Sequence, residues 1–263
     1  VRTFGVMVAL GLVFAWWLSY QRARKFGVDP AGLGTLGSWM VILGIIGARG
    51  VYVAQYWDDY QSHWLSIFSI REGGMTSFGG FLFGLIGLAI WARLSRTPLW
   101  ALLDLIAAPA LMAIAFGRIG CFFNGCCYGG PTDLPWRVYF PEADFYAHPA
   151  QLYAALMLFV AGGLLLFYEK RITASPQAKW KPGTFISLAF LFYGVIRFIY
   201  EFFRIGASSQ PLRDLPLTEA HLVAGFMFLL GVVGLLVFRR QAPVEFHGSE
   251  RAQEAPSVSR APR

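Results

Sequence analysis

An all-α polytopic membrane protein, with about seven transmembrane helices and a short loop region on its outer face, is the fold the sequence predicts. Three observations carry this expectation. Of the 263 residues 56% are hydrophobic and only 14% charged, where a soluble domain averages roughly 25% charged. The apolar residues gather in seven runs of a length that suits a bilayer crossing. Lys and Arg sit at the ends of those runs. A chain so poor in charge cannot surround itself with a water-compatible surface, which excludes a soluble enzyme or a disordered regulator. The net charge of +7 is placed as membrane topology requires, so nucleic acid is not an expected partner.

The runs cover about 4–20, 35–56, 77–93, 100–123, 149–168, 183–203 and 217–238. A backbone in lipid must satisfy its own hydrogen bonds, so each run reads as a helix. The alternating ten-residue segments of a membrane barrel are absent. From Gln241 the composition turns to Pro, Glu, Ser, Ala and Arg, which divides the chain into a membrane domain, 1–240, and a disordered cytoplasmic tail, 241–263. The sequence begins at Val1 rather than Met, so we expect further residues upstream. The first run reads as a span rather than a cleavable signal, because it is long and followed by basic residues without a small-residue cleavage site.

Orientation follows from charge. Arg22, Arg24 and Lys25 occupy the first loop, Arg93 and Arg96 the third, and Lys170, Arg171, Lys179 and Lys181 the fifth, while Arg239 and Arg240 open the tail. The second, fourth and sixth loops hold only Arg71, Arg137, Arg204 and Arg213. The odd loops and the tail are therefore expected inside, and the N-terminus outside.

Arg49, Arg118 and Arg197 lie within apolar runs. Arg at the bilayer centre costs about 2.5 kcal/mol or more on insertion scales, so all three are expected to face the bundle interior or a polar cavity. A guanidinium stays ionised and offers a planar fork suited to phosphate. The simpler alternative pairs each with a buried acid. The few acids in the runs favour an anionic ligand. Tyr193, Arg197, Glu201 and Arg204 follow one another at steps of four, four and three, which stacks them on one helix face. An Arg197–Glu201 pair one turn apart is expected there, but it leaves Arg204 and Tyr193 unexplained.

The fourth run closes on Gly117-Arg118-Ile119-Gly120-Cys121-Phe122-Phe123-Asn124-Gly125-Cys126-Cys127-Tyr128-Gly129. Its glycines permit sharp turning or close approach. Beside an intramembrane Arg this is the pattern of a headgroup pocket, the alternative being ordinary small-residue helix packing. A second glycine-rich entry, Glu72 to Gly80, reads the same way. Three cysteines within seven residues are neither a disulfide framework nor the paired C-x-x-C spacing of a zinc site, so three free thiols and no metal are expected. His148-Pro149 opens the fifth span, with Pro149 suited to a first helical position; His148 is a cap, a general base or a surface residue.

In this order the segments resemble the prolipoprotein diacylglyceryl transferase family, over nearly the whole chain. Phe4-Gly5-Val6-Met7 resembles the family's Tyr-Gly-Leu-Met, and Gly47-Ala48-Arg49-Gly50-Val51-Tyr52 its Gly-Gly-Arg-Ile-Gly-Tyr. Residues 73–80 resemble Gly-Gly-Met-Ser-Phe-His-Gly-Gly, and Asp104 matches an acid near the start of the fourth span. Gly117 to Gly129 resembles the signature Gly-Arg-x-Gly-Asn-Phe-x-Asn-Gly-Glu-x-x-Gly. His148 to Tyr153 is similar to His-Pro-Ser-Gln-Leu-Tyr, and Tyr193 to Arg204 to Tyr-Gly-x-x-Arg-Phe-x-x-Glu-x-x-Arg. The last three together are highly specific. The chain departs from the pattern at Phe78 for His, Cys121 for Asn, Cys126 for Glu, Phe4 for Tyr and Ala154 for Glu.

The resemblance implies transfer of a diacylglyceryl group from phosphatidylglycerol to the lipobox cysteine of a preprolipoprotein, the first step of bacterial lipoprotein maturation, in the cell inner membrane and without metal or organic cofactor. It implies donor binding by Arg118 and Arg197, with Arg49 and Arg204 assisting or organising the cavity. Tyr193 is expected to orient the headgroup, Glu201 to hold the arginines, and Asn124, Gly125 and Gly129 to line the substrate site. Since Phe78 cannot act as a base, His148 becomes the leading candidate. Cys121 and Cys126 read as packing substitutions more readily than as participants. Other readings are an inactive paralogue that binds phospholipid or lipoprotein precursor, and a small transporter, which would require inverted repeats that are not evident.

Overall fold

In the computed structural model the described residues are 2–61, 64–69, 73–174, 178–205 and 217–246. Arg71, Glu72 and Arg213, which entered the sequence reading, lie outside them, as do tail residues 247–263. The chain divides into two compact units, Val28–Leu102 and Val1–Gly27 with Leu103–Arg263.

The first of these units is built on α2 (Pro30–Gln55) and α4 (Ser77–Leu94), joined through the single turn α3 (Trp57–Tyr60) and a 3-10 segment, Trp64–Phe68. Asp29 caps α2 by accepting from the Ala31 N–H, with Pro30 in the first turn, where its missing N–H is no loss. α2 and α4 run antiparallel along a glycine seam. A Cβ on Gly47 would stand 2.3 Å from Phe83 and one on Gly79 2.3 Å from the Gly47 carbonyl. Small residues at such a seam let backbones approach where lipid supplies no hydrophobic drive.

The other unit holds α1 (Arg2–Arg22), α5 (Leu99–Phe123), which begins just before the unit boundary, α6 (Ala150–Thr173), α7 (Thr184–Glu201) and α8 (Glu219–Phe238). Its helices alternate in direction: Gly11 meets Phe116 while Gly120 meets Met7 and Phe4, and Gly194 meets Phe228 while Gly231 meets Leu191. One end of this bundle gathers Arg22, Lys25, Lys170, Arg171, Lys179, Lys181, Arg239 and Arg240. There the Arg22 Nε donates to Glu169 at 2.8 Å and its Nη1 to the Leu105 carbonyl at 2.6 Å, with both side chains buried. Arg22, expected as a loop cation, is instead half of a buried ion pair. Asp104, fully buried, accepts from the backbone N–H groups of Gly183 (2.7 Å) and Ile186 (2.8 Å). It thus caps α7 from another helix, where the local N-cap, Gly183, has no side chain to do so.

Among the described residues six helices are long and apolar enough to cross a membrane, and Phe78–Leu94 is a shorter apolar one. This is a mostly helical, multi-pass membrane protein. Large apolar side chains such as Val13, Leu156, Val160 and Leu229 point outward, while alanines including Ala107, Ala108, Ala115, Ala154 and Ala161 are buried, the arrangement a lipid solvent permits. The loop between α5 and α6 contains a hairpin, β1 (Val138–Phe140) with β2 (Phe145–Ala147), in the register Tyr139 opposite Tyr146.

The first residues of the expected tail include a short strand. β4 (Val244–Glu245) pairs with β3 (Lys179–Trp180), and Phe246 stacks on Trp180 at 5.4 Å and meets Phe26 edge-on at 5.5 Å. Val244 and Phe246 join an aromatic cluster, ahead of the polar sequence of 247–263.

Candidate functional site

The last turn of α5 and the C-terminal turns of α7 form the candidate site. α5 ends in a Schellman turn: Gly125 takes φ +69°, its N–H reaches the Phe122 carbonyl, and the Cys126 N–H reaches the Cys121 carbonyl at 3.1 Å. Glycine suits this left-handed position because it lacks a Cβ. Asn124 is the residue before the turn, and its side chain bonds Cys126. Cys127, at φ +62°, curls the chain again. The Gln151 Nε2 ties the loop down by donating to the Cys126 carbonyl at 2.7 Å, and Tyr200 donates to the Cys127 carbonyl at 3.3 Å. Phe140 stacks on Tyr128 at 5.0 Å, so the hairpin covers this turn.

Arg118 projects from the preceding turn over the face of Tyr200, 5.0 Å from the ring centre, and Arg197 lies 5.3 Å from the same centre. The three intramembrane arginines have three different environments. Arg197 donates to Glu201 at 2.5 Å, the pair expected from spacing. Arg118 has no carboxylate partner among the described residues; its electrostatic neighbours are Tyr200, Tyr193, Cys121 and Cys127. Arg49, in the other unit, donates to four carbonyls: Nε to Ile67 at 2.8 Å, Nη1 to Gly73 and Gly74 at 2.9 and 2.8 Å, and Nη2 to Ser66 at 2.6 Å. Those bonds use four of its five N–H groups. Arg49 therefore clamps the loop that follows its helix.

Glu201, its side chain fully buried, gathers Arg197 on Oε2, with Arg204 at 4.0 Å from the same oxygen, and accepts from the Thr218 hydroxyl on Oε1 at 3.2 Å. Thr218 is also the N-cap of α8, in a capping box with His221. One carboxylate thus joins the end of α7 to the start of α8. It faces two guanidinium groups, with Arg118 as a third nearby, and the excess is positive. The buried Arg204 Nε and Gln151 Oε1 have no hydrogen-bond partner among the described residues, and orphan polar groups of this kind call for an explanation.

Gly129 lies between two backbones. It bridges Arg204, and its N–H reaches the His148 carbonyl at 2.9 Å. A Cβ here would stand 2.5 Å from the Phe203 carbonyl and 2.7 Å from the His148 Cβ, so Gly129 serves close approach. The His148 ring packs on Phe203 at 5.5 Å, and its Nδ1 lies 3.3 Å from the Tyr153 hydroxyl, which accepts from Trp136 at 2.7 Å. That chain is separate from the side-chain contacts of the arginines. Phe78 is 69% exposed in the first turn of α4.

The structure thus brings together Arg118, Arg197, Glu201, Arg204, Tyr193 and the 124–129 turn. Sequence reasoning passed over Tyr200, although it lies seven residues after Tyr193 and three after Arg197, on the same face. It also passed over the convergence of the cysteines. Cys121, Cys126 and Cys127 are free thiols whose sulfur atoms all lie within 4.8 Å of one another. The Cys121 thiol donates to Cys127 and, against the upward push of burial, draws it down from the usual thiol range to about 5, aided by Arg204, Cys126 and Arg118. Burial pushes the Cys126 thiol up.

The prolipoprotein diacylglyceryl transferase family model matches residues 1–237. A phosphatidylglycerol–prolipoprotein diacylglyceryl transferase of Thermosynechococcus vestitus is 32% identical over 243 residues, 89% of this chain and 87% of that one. The protein of the same name from a Synechocystis strain is 33% identical over 247 residues, 90% and 84% of the two chains. That of Mesorhizobium japonicum is 34% identical over 215 residues, 78% and 74%. The chain belongs to the prolipoprotein diacylglyceryl transferase family.

Proposed function

We propose that this chain transfers the diacylglyceryl group of phosphatidylglycerol to the lipobox cysteine thiol of a preprolipoprotein; its relatives are named phosphatidylglycerol–prolipoprotein diacylglyceryl transferases. The observation that carries the reading is Arg118: a half-buried guanidinium with no acid partner among the described residues, sharing the Tyr200 ring with Arg197. The acceptor sulfur attacks the glyceryl carbon next to the phosphate. A C–S bond forms, the C–O bond breaks, and glycerol phosphate departs with its electron pair.

Arg118 and the orphan Arg204 Nε–H hold the phosphate and meet the charge on the leaving group, where a low dielectric magnifies their effect. Arg197 adds charge while Glu201 fixes its direction, and Tyr193 orients the headgroup. Asn124, Gly125 and Gly129 shape the turn against which the donor lies. His148, held by Tyr153, takes the acceptor proton. The protein lies in the cell inner membrane with its N-terminus and the 124–148 loop outside. The basic end of the bundle, with Lys170, Arg171, Lys179 and Lys181, is cytoplasmic, as the positive-inside rule favours.

The test incubates the purified chain in lipid with phosphatidylglycerol and a lipobox peptide. Release of glycerol phosphate together with the peptide's mass gain supports the reading. Donor binding without either product replaces it with the second reading, an inactive lipid-binding paralogue, which the departures at Phe78 and Cys126 favour.

A further inference from the structure

The geometry points to a metal site: Cys121, Cys126 and Cys127 form a three-thiolate cradle for one thiophilic d10 cation of the zinc class, with a fourth coordination position left for an exogenous sulfur. In a continuous helix, residues 121 and 126 would face different directions. The Gly125 turn folds Cys126 back until its N–H reaches the Cys121 carbonyl, and the left-handed backbone of Cys127 brings the adjacent side chain to the same side. All three sulfur atoms then lie within 4.8 Å of one another. Zinc–sulfur bonds of about 2.3 Å place sulfurs roughly 3.8–4.0 Å apart, so the cradle closes on an ion by movements of less than about 1 Å.

Ligand softness selects the ion. Three thiolates and no oxygen ligand suit zinc-class cations and exclude magnesium or calcium. Charge agrees as well. Three thiolates around a divalent ion leave one net negative charge, and the Arg204 Nη2 lies 3.9 Å from the Cys127 sulfur with Arg118 nearby. Among the described residues no fourth Cys, His, Asp or Glu joins the group. Three protein ligands with one open position is the pattern of reactive rather than purely structural zinc.

A thiol that enters the open position loses its proton outright. The consequence for turnover rests on the transferase reading above: the acceptor cysteine binds as the fourth ligand and its proton passes to His148, the base of that reading. The metal-bound sulfur then attacks the glyceryl carbon as the C–O bond to phosphate breaks. The metal site itself stands independently of that reading.

The experiment titrates cadmium into the full chain, reduced, stripped with chelator and held in lipid nanodiscs. One equivalent is expected to produce sulfur-to-metal charge-transfer absorption and to protect all three thiols from maleimide. Each single Cys→Ser variant is expected to bind at least about tenfold more weakly, and the triple variant not at the site. Wild-type protein that shows no such band, or whose thiols react equally with and without cadmium, overturns the site without touching the transferase reading. A normal band with turnover unaffected by zinc or chelator overturns only the role in acceptor activation. A normal band with no turnover under any metal condition counts against the transferase reading alone.

Discussion

Arg118 and Arg197, from different helices, stand over a single aromatic ring, their guanidinium carbons 5.0 and 5.3 Å from the centre of Tyr200. Like charges are tolerated this close because the ring face is electron-rich, each contact contributing about 0.5–2 kcal/mol, and because Glu201 neutralises one of them. Tyr200 thereby fixes two cations at the mouth of the cysteine turn.

Arg118→Lys keeps the charge and loses the planar fork. Charge-assisted contacts contribute roughly 1.5–3 kcal/mol, so kcat/KM for phosphatidylglycerol is expected to fall about ten- to a hundredfold. Turnover at matched expression measures it, and a decline of less than about threefold would remove Arg118 from the phosphate.

Arg197 and Glu201 separate two roles. Replacing both, by Gln and Met, removes one cation together with its acid and leaves Arg204 as the remaining guanidinium that faced Glu201. If the arginine only balances the acid, activity returns; if it serves the donor, the double variant folds and stays slow, which is the expected outcome. Glu201→Met alone leaves two half-buried guanidiniums and the buried Thr218 hydroxyl without their acceptor, and is expected to destabilise by about 3 kcal/mol. Thermal unfolding in nanodiscs checks that figure.

Arg49→Met removes four bonds to carbonyls of residues 66–74. A loss of roughly 3 kcal/mol or more is expected, since each bond to a charged group contributes about 1.5–3. Limited proteolysis should show faster cleavage between α3 and α4. Unchanged protease resistance would return Arg49 to a direct role with substrate.

Asp104→Ala leaves the Gly183 and Ile186 N–H groups without their acceptor. Loss of a helix N-cap costs about 0.5–2 kcal/mol, and burial of the orphaned groups places this site at the upper end or beyond. The melting temperature is expected to drop while the KM for phosphatidylglycerol stays constant.

Topology is open to labelling. In a cysteine-free background, Asp133→Cys is expected to react with an impermeant maleimide added outside intact cells, and Lys179→Cys only after lysis. Both positions are exposed. Outside labelling at position 179 would reverse the orientation.

Local composition determined most of the architecture. Each apolar run became a helix close to its predicted bounds, because hydrophobic length and backbone satisfaction are properties of a segment by itself. The pairing of Arg197 with Glu201 was legible for the same reason, since the partners lie one turn apart, whereas Arg204 lies past the end of α7, in a bridge with Gly129. The tertiary structure alone decided what cannot be summed along a segment. Asp104 caps a helix that begins 80 residues later, Glu169 neutralises Arg22, Arg49 grips carbonyls of a following loop, and residues 244–246 join Trp180 and Phe26 from far along the chain. The cysteines show the distinction within seven residues. Their spacing lacks any metal-binding pattern, but one glycine in the left-handed region reverses the chain and brings three sulfurs within 4.8 Å, because side-chain proximity is set by the backbone path and not by separation along it.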